Sequence, residues 1–89
     1  MDMQSRLVVP NSLGIHARPA ALLVKAASVF NAEIQVKNGG GFVDGKSLMG
    51  WLSLGADKGT VLTIRASGQD ADRAVEALAA LFENSFNES

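Results

Sequence analysis

No cysteine occurs in the chain, so neither a disulfide nor a thiolate-bound metal can staple it, and a packed core must hold the fold. Histidine occurs once, at His16. No second histidine is present to complete a metal site or to activate a serine, and no P-loop motif occurs. No stretch approaches the roughly 18 consecutive apolar residues that a membrane span needs. Met1-Asp2-Met3-Gln4-Ser5-Arg6 carries no apolar core of a signal peptide, so a cytoplasmic location is expected. Neither sign of charge dominates. Eight basic against nine acidic residues give a formal charge of −1, which argues against a general nucleic-acid binder. Internal repeats, low-complexity tracts and interdomain linkers are also lacking, and 89 residues suit a single domain over 1–89.

What is present is globular composition. Hydrophobic residues make up 47% and charged residues 19%, far from the disordered class. Gln4–Val9 reads as a first strand, ended by Pro10-Asn11-Ser12. Leu13-Gly14-Ile15-His16 is a loop, and Ala17 to about Phe30 is rich in helix formers. Pro19 falls in that helix's first turn, where a missing N–H costs nothing. Ala20, Val24 and Ala27 can face the core there, with Ala21, Leu22 and Lys25 elsewhere. Glu33-Ile34-Gln35-Val36-Lys37 alternates as a half-buried strand does. Asn38-Gly39-Gly40-Gly41 turns the chain back into Phe42-Val43, and so many glycines predict loose pairing.

Asp44-Gly45-Lys46 is a loop. Ser47 to about Leu54 is a short helix with Ser47 as its N-cap, slightly weakened by Gly50. Thr60–Ala66 alternates as a strand. Asp70 opens a last helix whose apolar positions Ala71, Ala74, Val75, Leu78, Leu81 and Phe82 have helical spacing. The polar tail Asn87-Glu88-Ser89 is expected to fray. The order βαββαβα predicts an α+β domain with two layers, four strands burying one face under three helices.

His16 stands where a loop enters a helix. Free backbone N–H groups and the positive end of the helix dipole favour an anion there. The same field opposes protonation of the ring, and the neutral imidazole is the nucleophile. Arg18, two residues on, is a fork-shaped donor for phosphate. These are the parts a phosphoryl acceptor needs. From its position alone, however, a lone histidine at a helix start is more often just a cap or a solvated surface residue.

Leu13-Gly14-Ile15-His16-Ala17-Arg18-Pro19-Ala20 resembles the active-site signature of the HPr family, the histidine phosphocarriers of the bacterial phosphoenolpyruvate-dependent phosphotransferase system. Gly45-Lys46-Ser47-Leu48-Met49-Gly50 resembles the family's regulatory serine segment, about thirty residues further on, and the pair of motifs is a specific combination. Ser53-Leu54-Gly55 and Lys58-Gly59 continue the resemblance, which covers nearly the whole chain. It implies an open-faced sandwich whose antiparallel sheet has the order 1-4-2-3. It implies that His16 is phosphorylated on Nδ1 by enzyme I, that Arg18 helps hold the phosphate, and that the group passes to enzyme IIA domains. No cofactor is implied.

Ser47 resembles the serine modified by HPr kinase/phosphorylase, whose product docks a transcriptional regulator. By the same analogy Leu48, Met49 and Leu52 join Ala17, Ala21 and Leu22 in an exposed apolar partner patch, with Lys25 and Lys46 supplying rim charge for acidic partners. Trp51 is expected to be mostly buried. Leu13 and the segment Ala80–Phe86 resemble the family's nitrogen-related branch, whereas KSLMG resembles the sugar-transport, kinase-regulated branch. Three functions therefore stand side by side: a monomeric phosphoryl carrier without turnover of its own, a regulatory docking module centred on Ser47, and a plain interaction domain.

Overall fold

The computed structural model describes residues 1–88. Four strands run antiparallel: β1 (Asp2–Val8), β2 (Glu33–Lys37), β3 (Val43–Asp44) and β4 (Val61–Ser67). Their spatial order is β1-β4-β2-β3. Three helices join them, α1 (Ala17–Ser28), α2 (Leu48–Ser53) and α3 (Ala71–Glu83), and a turn of 3₁₀ helix (Ser85–Asn87) follows the last.

The sheet has one apolar face because its strands alternate in phase. Ile34 pairs with Ala66 and Val36 with Ile64 across β2 and β4, while Leu7 pairs with Leu62 across β1 and β4. Cross-strand partners share a face. Ile34, Val36, Leu62, Ile64 and Ala66 are therefore buried together under the helices. Pro19, Ala20, Leu23 and Ala27 of α1 and Ala71, Ala74, Val75, Leu78 and Phe82 of α3 form the opposing layer. The α1 core face differs from expectation at one position: Leu23 is fully buried and Val24 only partly. Successive residues turn by about 100°, so the buried Pro19, Leu23, Ala27 and Ala20 share one arc, and Val24 lies beyond its Ala20 edge.

The other face of the sheet is polar. Arg65 hydrogen-bonds Gln35 at 2.7 Å, and its guanidinium lies 4.1 Å from the centre of the Phe42 ring, with Lys37 Nζ at 4.9 Å on the same ring. Both cations are within cation–π range, and β3 begins one residue later, at Val43. The glycine-rich hairpin pairs only through Gln35–Asp44 and Val36–Val43, in line with the loose pairing expected.

Helix α2 has six residues, too few to stand alone in water. Tertiary anchors hold it. Ser47 Oγ accepts the Gly50 N–H at 3.1 Å, so Ser47 is the N-cap. Trp51, fully buried, donates from Nε1 to the Gly45 carbonyl at 2.7 Å. Gly50 is no mere weak spot, since a Cβ there would come within 2.7 Å of the Asp44 carbonyl oxygen. The helix packs that close to the hairpin because the side chain is missing.

Asp70 opens α3 without capping it. Its carboxylate instead accepts the Asn31 and Ala32 N–H groups at 2.9 and 2.8 Å. It thereby ties the turn after α1 to the start of α3, and the Asn31 bond leads in holding its carboxyl below the usual range. No helix among the described residues is long and apolar enough to cross a membrane.

Candidate functional site

The loop that carries His16 hangs from two neighbouring segments. Gly59 N–H donates to the Val9 carbonyl at 2.8 Å and Ile15 N–H to the Ala56 carbonyl at 2.9 Å. Gly14 sits at φ +70°, and a Cβ there would press on that same Ala56 carbonyl. Both the positive φ and the close approach call for glycine. Ile15 turns into the core, which sends the next side chain outward. His16 is the N-cap of α1, with extended backbone (φ −93°, ψ −168°) and no capping bond from its ring. Its carbonyl accepts the Ala20 N–H at 3.0 Å. The ring is therefore attached at the start of α1, where the first-turn N–H groups lack helical partners.

Arg18 is exposed and lies beside it, but its guanidinium does not point into empty solvent. Its Nε is 3.9 Å from Oε2 of Glu88. The other oxygen of Glu88, Oε1, lies 3.0 Å from His16 Nε2 and accepts Asn11 Nδ2–H at 2.7 Å. Asn11 also donates to the Gly14 carbonyl at 2.7 Å. His16, Arg18, Asn11 and Glu88 therefore form one polar cluster. The Glu88 carboxyl is held below the usual carboxylate range, first by the His16 bond and then by the Asn11 bond.

This corrects the expectation of a frayed tail. Glu88 is held against the domain and Asn87, though exposed, belongs to the turn Ser85–Asn87 before it, whereas Ser89 lies outside the described residues. Phe86 is the reason. It is 1% exposed and meets Phe82 edge-on, with ring centres 4.9 Å apart. Reaching that site puts Ser85, Phe86 and Asn87 at φ 57°, 56° and 60°, a left-handed run that L-residues adopt only when burial outweighs the strain. No local sequence pattern marks either Asn11 or Glu88 as a site residue. The signal available for the tail was Phe86, a large apolar residue in an otherwise polar stretch.

The other expected site residues lie on α1, on α2 and in the segment before α2. Ala17, Ala21 and Lys25 are exposed on α1, and Leu22 is half-buried. Leu48, Met49 and Leu52 are exposed on α2 at 43%, 71% and 36%, and α2 packs against α1. Lys46 is not free: its Nζ donates to the Phe30 carbonyl at 2.7 Å, which braces the segment before Ser47 against the end of α1.

An imidazole beside a guanidinium at a helix N-terminus is an arrangement suited to an anionic group. Known proteins similar to this chain are phosphocarriers. A family model described as the PTS HPr component phosphorylation site matches residues 3–84. The phosphocarrier protein HPr of Xylella fastidiosa strain 9a5c is 43% identical over 86 residues, 97% of each chain. The crystal structure of HPr-C-His from Thermoanaerobacter tengcongensis superposes with a TM-score of 0.93, at 40% identity over 98% of each chain. A structure of an HPr dimer from the same organism gives 0.78 at 44% identity, covering 90% of this chain and 92% of that one. The chain belongs to the HPr family, the phosphocarriers of the phosphotransferase system.

Proposed function

We propose that the protein accepts a phosphoryl group on His16 Nδ1 from phosphorylated enzyme I and hands it to a histidine of an enzyme IIA domain. The observation that carries this reading is the placement of the chain's one histidine at the N-terminus of α1 with Arg18 beside it, in a member of a phosphocarrier family. In the step, the Nδ1 lone pair attacks the phosphorus of the donor's phosphohistidine. The donor P–N bond breaks and its electron pair returns to the donor ring. Arg18 exchanges its long contact with Glu88 for the incoming phosphoryl oxygens. Onward transfer is the same step with the roles reversed, so the protein is a relay and has no turnover of its own.

Docking falls to the apolar surface of Ala17, Ala21, Leu22, Leu48, Met49 and Leu52, with Lys25 at its rim and Lys46 bracing it. Ser47 is the regulatory position, open to an HPr kinase/phosphorylase and through it to a transcriptional regulator. Its phosphate would sit at the start of α2, where negative charge is tolerated, next to the surface that enzyme I must contact. The protein acts in the cytoplasm as a monomer, which keeps that surface open.

The test is intact-mass spectrometry at neutral pH after incubation with enzyme I, magnesium and phosphoenolpyruvate, with His16→Ala alongside. One acid-labile phosphate on the wild type and none on His16→Ala supports the relay. No phosphate from a cognate enzyme I sinks it. Ser47→Asp should accept phosphate on His16 more slowly than wild type while staying folded, and equal rates would remove the regulatory role.

A further inference from the structure

We propose that Glu88 is a positioning residue for His16: its carboxylate fixes the ring as the Nε2–H tautomer and thereby presents the Nδ1 lone pair as the nucleophile. This deepens the relay reading and rests on it. Oε1 of Glu88 lies 3.0 Å from Nε2. An ionised carboxylate can only accept, so the proton of a neutral ring must be on Nε2, and Nδ1 carries the lone pair.

Asn11 shows that Oε1 is an acceptor. Its amide nitrogen lies 2.7 Å from the Gly14 carbonyl and 2.7 Å from Oε1. The carbonyl cannot donate, so the amide must present both its hydrogens on that side. Asn11 is 1% exposed, and with one hydrogen given to Gly14 the other goes to Glu88. Oε1 therefore takes hydrogens from Asn11 and His16 together. The carboxylate is steered there by Phe86 in the core, not by local sequence, since 72 residues separate it from His16.

The contact also suits the chemistry after attack. When Nδ1 bonds to phosphorus with Nε2 still protonated, the ring becomes cationic. No proton need leave, and the carboxylate at Nε2 faces that new charge. Keeping the Nε2 proton also keeps the imidazole a good leaving group for onward transfer.

The experiment uses the ¹⁵N-labelled full chain as wild type, Glu88→Ala and Glu88→Gln. Two-bond ¹H–¹⁵N correlations, recorded at a pH where the ring is neutral, read the tautomer directly. The wild-type ring should be almost wholly Nε2–H. Glu88→Ala should relax towards the tautomer mixture of free histidine and accept phosphate from enzyme I roughly tenfold more slowly, the scale expected for losing one hydrogen bond to a charged group. Glu88→Gln, which keeps an acceptor oxygen, should restore the tautomer. An unchanged tautomer in Glu88→Ala overturns the proposal, and so does an unchanged transfer rate when the tautomer has shifted. A wild type that enzyme I does not phosphorylate would sink the relay instead, and the tautomer measurement would still decide whether Glu88 sets the ring.

Discussion

Phe86→Ala should release the segment after α3 from the core and take Glu88 away from His16. Truncating a fully buried phenylalanine normally costs about 3–5 kcal/mol through lost transfer energy and the cavity left behind. This site has a second way out. Ser85, Phe86 and Asn87 all hold positive φ near 60°, a conformation that costs roughly 1–2 kcal/mol per L-residue. Without the Phe86 ring the segment peels off, the strain relaxes, and no closed cavity remains. The relief offsets most of that cost, so the net loss should be at most about 2 kcal/mol, which lowers the Tm of a domain this size by no more than roughly 15 °C. Urea unfolding followed by the fluorescence of buried Trp51 measures it.

The sharper readout is a double-mutant cycle with Glu88→Ala. Whatever stability Glu88→Ala removes from the wild type, it should remove none from Phe86→Ala, because the carboxylate has already left. If the two substitutions add, and Phe86→Ala alone shows the full cavity cost, then the segment stays in place without its anchor and the reasoning is refuted.

Three further outcomes follow from the same structure. Gly50→Ala should destabilise the fold in urea even though alanine gains about 1 kcal/mol in helix propensity, because its Cβ would collide with the Asp44 carbonyl; a more stable variant would show that α2 can shift freely. Trp51→Phe should cost about 1–3 kcal/mol in thermal unfolding, since it leaves the Gly45 carbonyl buried without its donor. Asp70→Asn should flatten the acid limb of the stability profile. The folded pKa of Asp70 is depressed, so its contribution is complete above the ordinary carboxylate range and disappears as the pH falls through the lowered value. Urea midpoints at about pH 7 and about pH 3 should therefore differ less in the variant than in the wild type, and an identical difference would remove Asp70 from the account.

The sequence made the element order plain, because its strands alternate in phase and its helices carry apolar stripes. It also made one half of the site plain. His16, Arg18 and Pro19 lie within one helical turn, where local rules about caps and dipoles apply directly. The other half was hidden for a physical reason. Asn11 looks like an ordinary turn residue after Pro10, and Glu88 like part of a solvated tail. What joins them to His16 is tertiary: the Phe86 side chain finds a place beside Phe82 and drags the following residues with it. Gly50 was misjudged in the same way. Propensity describes a helix in water, whereas this one is pressed against a hairpin carbonyl that no local pattern reveals. Asp70 was placed correctly as the residue that opens α3, yet its side chain serves a different segment, Asn31-Ala32, brought near only by the fold.

The anchoring of α2 has a consequence for timing. A six-residue helix displaying Leu48, Met49 and Leu52 would ordinarily have to be ordered by whatever binds it, and ordering slows association and makes each complex depend on a good fit. Here the Ser47 cap, the Trp51 bond to Gly45 and the close seat of Gly50 hold the helix rigid from its inner side before any encounter. Its outer side then meets a partner as a finished surface, with only the Met and Leu side chains left to adjust. On the docking role proposed for it, such a surface would be gripped lightly and released quickly, which would let one small chain serve successive partners without being detained by any of them.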